Sequence, residues 1–355
     1  MQQRIQQLDA VRGLAILLVI FHNTCNIQAF YLNRLAAHGW MGVDLFFVLS
    51  GFLITGILLN ARNSKGYYRN FYARRCLRIW PLYYSVLFLM FVVIPFLRPS
   101  ITSLILKHSH PRWSYLFFLQ NFLTDVPTLA AGPLGVTWSL GVEELFYLAW
   151  APVVSFLSLG QVRRLAVSIL VLSPPLRLYL TWDHVLIYSN PFCRLDGLMA
   201  GALLAVLLRS GGFRPDRYLG PAWSVLLACG ALAVVTNTYG APWLSFSMTS
   251  LASLSFVFVS LFSPKLWFQR LLRNKFLSYT GVVSYGLYLL HKIPIDLIKA
   301  SGMNLSPLLS FILTLLGSYM LAFASWHVLE RPFLKLKQFC ELRPNRPIPG
   351  IGTSN

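Results

Sequence analysis

Apolar residues in this chain run unbroken for many positions, with neither the alternation of a half-buried strand nor the narrow stripe of a surface helix. Ten such runs, at roughly 10–30, 41–60, 79–97, 139–159, 163–181, 195–208, 219–238, 242–262, 280–298 and 307–329, predict ten helices. Most approach the roughly 20 residues a helix needs to cross ~30 Å of hydrocarbon. Short polar links join them. The one long connection, 98–138, contains an apolar, aromatic stretch at 113–123 that is too short to cross and is expected to lie in the interface.

Composition sharpens this into a fold class. Of 355 residues, 56% are hydrophobic and only 12% charged, against about 25% charged in a soluble domain. The expectation is an all-α, polytopic membrane helical bundle of about ten transmembrane helices. Residues 1–335 form the bundle and 336–355 a disordered tail carrying Pro344, Pro347 and Pro349. No cleaved signal and no appended soluble domain are expected. A formal charge of +19 would suit nucleic acid, but the cations sit in short runs between apolar segments. With the N-terminus in the cytoplasm, 21 Lys and Arg fall on inner segments and 6 on outer loops. That asymmetry predicts both termini inside a cell (inner) membrane. The five cysteines show no CxxC or metal-ligand spacing, so neither a disulfide framework nor a metal site is expected.

A charge at the bilayer centre costs about 2.5–3.5 kcal/mol on insertion scales, so charges within spans should face the bundle interior. Arg12 and His22 lie ten positions apart on the first segment, about 15 Å along the axis and roughly 80° apart around it. Asp44 enters the second segment and Asp196 the sixth, while His291, Lys292 and Asp296 lie in the ninth. Ser139, Glu143 and Tyr147 recur every four residues and line one helical face, with Glu144 turned about 100° away. Arg74, Arg75 and Arg78, followed by Trp80-Pro81-Leu82-Tyr83-Tyr84, stand at the cytoplasmic entry of the third segment. They read as an anchor with an aromatic belt, or as a cluster whose planar guanidinium forks bind phosphate. Gly197 and Gly201 form a small-xxx-small pair suited to helix packing, and Arg177 is expected to snorkel outward.

Five segments resemble the acyltransferase 3 family, the integral-membrane O-acyltransferases that decorate bacterial surface sugars and some other hydroxylated acceptors. They are Leu8 to Ala15 with His22, Gly42 to Phe52, Arg75 to Tyr84, Trp138 to Tyr147, and Arg194-Leu195-Asp196-Gly197. Ser284 to His291 and Glu330-Arg331-Pro332-Phe333 match more weakly. The resemblance implies that His22 is catalytic and that Arg12, Arg75 and Arg78 serve the acyl donor. Glu143 and Asp44 are expected to assist at the catalytic centre. Candidate acceptor contacts are Glu144, Tyr147, Trp138, Asp196, Asn121 and His291.

The expected reaction moves an acyl group, acetyl by family precedent, from cytosolic acyl-CoA to a carbohydrate hydroxyl, as in an envelope polysaccharide or glycolipid. Acyl-CoA is a co-substrate and no cofactor is held permanently. Expected partners are acyl-CoA, a hydroxylated acceptor and the bilayer, not nucleic acid. A neutral imidazole, oriented by a nearby carboxylate, would take the hydroxyl proton, a contribution of about 10²–10⁴-fold. Direct transfer and an acyl-histidine intermediate both fit. The alternative is a transporter or flippase for a lipid-linked sugar, since intramembrane charges also mark transport paths.

Overall fold

A computed structural model describes residues 5–25, 36–97, 110–123 and 132–340. Every regular element among these residues is helical. The longer helices are α1 (Gln6–Cys25), α2 (Met41–Ala61), α3 (Tyr67–Phe88), α4 (Thr137–Phe156), α5 (Leu159–Trp182) and α6 (Leu195–Leu207). They continue with α7 (Pro215–Thr238), α8 (Pro242–Phe262), the short α9 (Lys275–Val282), α10 (Ser284–Leu290) and α11 (Lys292–Ala300), and finally α12 (Pro307–Ser325). Each of the ten apolar runs contains a helix. Six helical stretches are long and apolar enough to cross a membrane: 41–61, 67–97, 159–182, 215–238, 242–262 and 307–339. Two of these extend a helix through a π-turn, at Leu89–Val93 after α3 and at Trp326–Glu330 after α12.

The ninth run departs from a single helix. It is broken at Val283 and His291 into α9, α10 and α11, which turns the backbone so that Ser284, Tyr285 and Tyr288 face inward. Broken helices at membrane depth occur where the backbone is buried in protein or lines a cavity. The terminal stretch stays helical to Phe339, so the boundary expected at 335 falls inside an ordered segment. Arg4, Arg34, Arg98, Lys107, Asp125, Glu341, Arg343 and Arg346 lie outside the described residues.

Small residues set the closest crossings. A side chain on Gly51 would strike the Leu198 carbonyl, and one on Gly201 the Val48 carbonyl, so α2 and α6 touch backbone to backbone. Gly13 and Gly281 do the same for α1 and α9, against the Leu277 and Asp9 carbonyls. Such contact is what small residues permit in a membrane, where burial of apolar area gives little advantage between helices. At the other extreme, α7 buries only Ala233 and packs on α8, leaving its apolar side chains for lipid. The expected interfacial stretch forms a short helix, Arg112–Leu116, and a 3-10 turn, Gln120–Phe122. Trp113 and Phe117 point outward while Tyr115, Gln120 and Asn121 are buried.

Candidate active site

A cavity of about 560 Å³ enters the bundle between α1, α2, α3, α4 and α10. Its walls are mostly apolar, with Phe46, Phe47, Phe52, Leu53, Ile57, Ile79, Leu140 and Trp326. Five cations line it, Arg12, Arg75, Arg78, Arg209 and Lys337. Ser50, Ser139, Glu143, Tyr147 and Tyr288 line the same space. The three-residue spacing of Arg75 and Arg78 makes them neighbours on α3, whereas Arg74, on the far flank of Arg78, does not line the cavity and donates to the Cys340 carbonyl at 3.1 Å. Arg75 lies over the Tyr147 ring, 6.0 Å from its centroid, and Arg78 over Tyr285 at 5.8 Å.

The four-residue stripe on α4 is the cavity wall. Glu143 accepts from Ser50 Oγ at 2.6 Å through one carboxylate oxygen and from Tyr147 Oη at 3.0 Å through the other. Ser139 and Tyr288 share a hydroxyl–hydroxyl bond of 2.7 Å. Arg12 pairs with Asp9 one turn earlier on α1 at 2.9 Å. The structure thus gathers Arg12, Arg75, Arg78, Glu143 and Tyr147 around one space.

His22 does not line that space. Its Nδ1 lies 2.6 Å from the Ala36 carbonyl oxygen. A carbonyl only accepts, so Nδ1 carries the hydrogen and Nε2 is left with its lone pair, the state a general base needs. A backbone carbonyl therefore orients the ring, where a carboxylate was expected. His38, His291 and Lys292 are its charged or titratable neighbours. His291 is fully buried, with Nδ1 2.7 Å from the Tyr288 carbonyl and its ring 6.0 Å from that of Tyr288. Tyr288 thus connects the cavity, through His291, to the surroundings of His22. Its ring also meets Phe46 edge-on at 6.1 Å.

The remaining candidates sit elsewhere. Asp44 pairs with Arg194 at 2.9 Å and Asp196 with Arg177 at 2.9 Å, all four side chains sealed from solvent. Arg177, expected to snorkel, instead points inward and donates to the Trp243 and Cys193 carbonyls, since a buried Asp196 holds it more favourably than lipid. Asp196 accepts further bonds from Ser247 and the Gly197 amide and is itself sealed from solvent. Arg194 is enclosed by Trp40, Phe47, Trp138, Tyr188 and Phe246, the last ring 4.1 Å away, so Trp138 serves as one wall of that cage. Asn121 donates to the Trp138 carbonyl at 2.6 Å. Glu144 lies on the other side of α4, near Trp80, with its Oε1 buried and without a hydrogen-bond partner. These positions place Asp44, Asp196, Trp138, Asn121, Glu144 and His291 outside the cavity lining.

Sequence reasoning missed Ser50, Asn60, Arg209, Tyr285, Tyr288 and Lys337 as lining residues. The hydroxylated ones had no charge to mark them. Among the described residues no group of three or more His, Cys, Asp or Glu side chains could hold a metal ion.

Comparison with known proteins identifies the family. Residues 5–327 match the Acyltransferase domain of the acyltransferase 3 family. O-acetyltransferase OatA of Staphylococcus aureus strain NCTC 8325 / PS 47 is 27% identical over 354 residues, covering 92% of this chain and 57% of its own length. Another protein named as an O-acetyltransferase, from Staphylococcus aureus strain COL, is 27% identical over 359 residues with the same coverage. The chain therefore spans little more than half the length of these relatives. No solved structure matches. An arginine-lined cavity inside an apolar helical bundle, and a family match over nearly all of its length, lead to one assignment: this chain belongs to the acyltransferase 3 family of membrane acyltransferases.

Proposed function

We propose that the protein is a membrane O-acetyltransferase that takes an acetyl group from acetyl-CoA and passes it to a carbohydrate hydroxyl. The observation that carries this reading is the cavity itself, a mostly apolar space lined by five cations together with hydroxyls and a carboxylate. A donor with phosphates and a long, thin, uncharged arm fits that mixture. Arg75 and Arg78 hold phosphate, as paired guanidinium forks do well, and Arg12 lies further along. The O-acetyltransferase names of the relatives support the acyl group.

In this reading ten segments cross the cell membrane with both termini cytoplasmic, which the 21-to-6 distribution of cations supports. The donor then enters from the cytoplasm and the acceptor from the opposite face. His22 Nε2 takes the acceptor hydroxyl proton as that oxygen attacks the thioester carbonyl. The carbon–sulfur bond breaks, and the proton passes from the imidazolium to the departing CoA thiolate. Glu143, held by Ser50 and Tyr147, keeps these hydroxyls aimed along the acyl path. Because Tyr288 stands between the cavity and the His22 side, transfer requires its ring to turn aside.

The test supplies membranes with radiolabelled acetyl-CoA and a carbohydrate acceptor. Label should move into an alkali-labile ester, and His22→Ala should lose about 10²–10⁴-fold of that rate while melting normally. Label that remains in the thioester, as a transporter would leave it, overturns the reading. A folded His22→Ala protein working at the normal rate removes His22 from it.

A further inference from the structure

The mouth of the cavity holds more positive charge than its surroundings balance. Arg74, Arg75 and Arg78 come from α3, and Lys337 reaches them from the turn Leu336–Phe339 that ends the terminal helical stretch. Among the described residues only one carboxylate, Glu330, comes within 4.0 Å of any of these four cations, and it does so at the limit of that distance, from Arg78. Glu143 is already engaged by Ser50 and Tyr147. Arg75 Nε is buried without a partner. Like charges gathered in a partly desolvated place repel one another, and an unpaired buried donor costs about 1–3 kcal/mol. A bound polyanion relieves both costs at once.

Lys337 is not an incidental surface lysine. It is half-buried and lines the cavity together with Leu334, whereas Lys335, two residues earlier, is exposed. The segment that carries it is pinned in place, because Arg74 donates to the carbonyl of Cys340, three residues on. It lies beyond residue 327, where the family match ends.

We infer that Lys337 is a donor-binding residue, the cation that completes, with Arg75 and Arg78, a site for the phosphates of CoA at the cavity mouth. The inference rests on the acetyl-CoA reading above and extends it from α3 to a second element. A point-like ammonium opposite two planar guanidinium groups gives a three-sided enclosure for phosphate.

The experiment measures binding of CoA to the full chain in detergent by calorimetry, and acetyl transfer in membranes, for wild type, Lys337→Gln, Lys337→Arg and Lys335→Gln. Lys337→Gln should weaken CoA binding and raise the KM for acetyl-CoA by about tenfold, as the loss of one charge-assisted contact does, with a smaller change in kcat. Lys337→Arg should recover most of the affinity, and Lys335→Gln should match wild type. Melting curves identify any variant whose fold is damaged, and Lys337→Arg then decides the role of the charge at a preserved size. Wild-type affinity in a folded Lys337→Gln protein overturns the inference. Wild-type protein that neither binds CoA nor transfers acetyl overturns the donor reading instead, so the two failures are distinct.

Discussion

Two groups of arginines lie in this bundle and are treated in opposite ways. Arg177 and Arg194 are completely enclosed, and each has a carboxylate at 2.9 Å; aromatic faces surround the second. Arg75 and Arg78 stand on a cavity with other cations beside them; among the described residues the one carboxylate within 4.0 Å of either is Glu330, at that limit, while Glu143 on the same cavity is held by Ser50 and Tyr147. The first group is electrically closed and holds α2, α5, α6 and α8 together. The second is open, with charge left over for something that arrives. Depth alone therefore does not separate a working charge from a structural one; compensation does.

Removing one partner from the closed group should have the largest effect. Arg194→Ala leaves Asp44 buried without its cation, at a cost of about 3–5 kcal/mol. We expect a steep fall in melting temperature and poor recovery from detergent extraction, whatever the substrate. Replacing both partners by apolar residues (Asp44→Leu with Arg194→Met) should restore much of that stability, since apolar substitutes of similar volume are often tolerated. Equal loss in both proteins would erase the distinction drawn here.

In the open group the expected pattern reverses. Arg78→Ala removes a repelling charge but also the long 4.0 Å partner of buried Glu330, so melting should fall far less than in Arg194→Ala, while the KM for acetyl-CoA rises about tenfold or more, the worth of a bond to a charged group. Arg75→Lys keeps the charge and loses the fork, so a smaller rise, about three- to tenfold, is expected in the same assay. The smallest effect should come from Tyr147→Phe, which takes one donor from Glu143 at about 0.5–1.5 kcal/mol and should lower acetyl transfer a few-fold with the fold intact.

Much of this was legible in the chain. Long apolar runs announce helices because hydrocarbon tolerates no unpaired backbone, and every run contains one. The stripe Ser139–Glu143–Tyr147 and the pair Arg75–Arg78 were readable because three- and four-residue spacing fixes a helical face. So was the divergence of Arg12 from His22, roughly 80° around α1: Arg12 lines the cavity and His22 faces Ala36. What could not be read depended on which helix lies beside which. Asp44 and Asp196 looked like free carboxylates because their partners, Arg194 and Arg177, belong to other helices or to the turn before α6. The break of the ninth run into three short helices left no strong mark in its apolar pattern. Lys337 lay hidden among cations assigned to the cytoplasmic flank.

The hydrogen bond from Arg74 to Cys340 joins positions 266 residues apart. Contacts of such long range form late, after the intervening loops have closed. During biosynthesis, a partly inserted bundle has α3 in place but lacks the far segment, so the cluster of Arg74, Arg75, Arg78 and Lys337 is complete only once the last helical turn has docked.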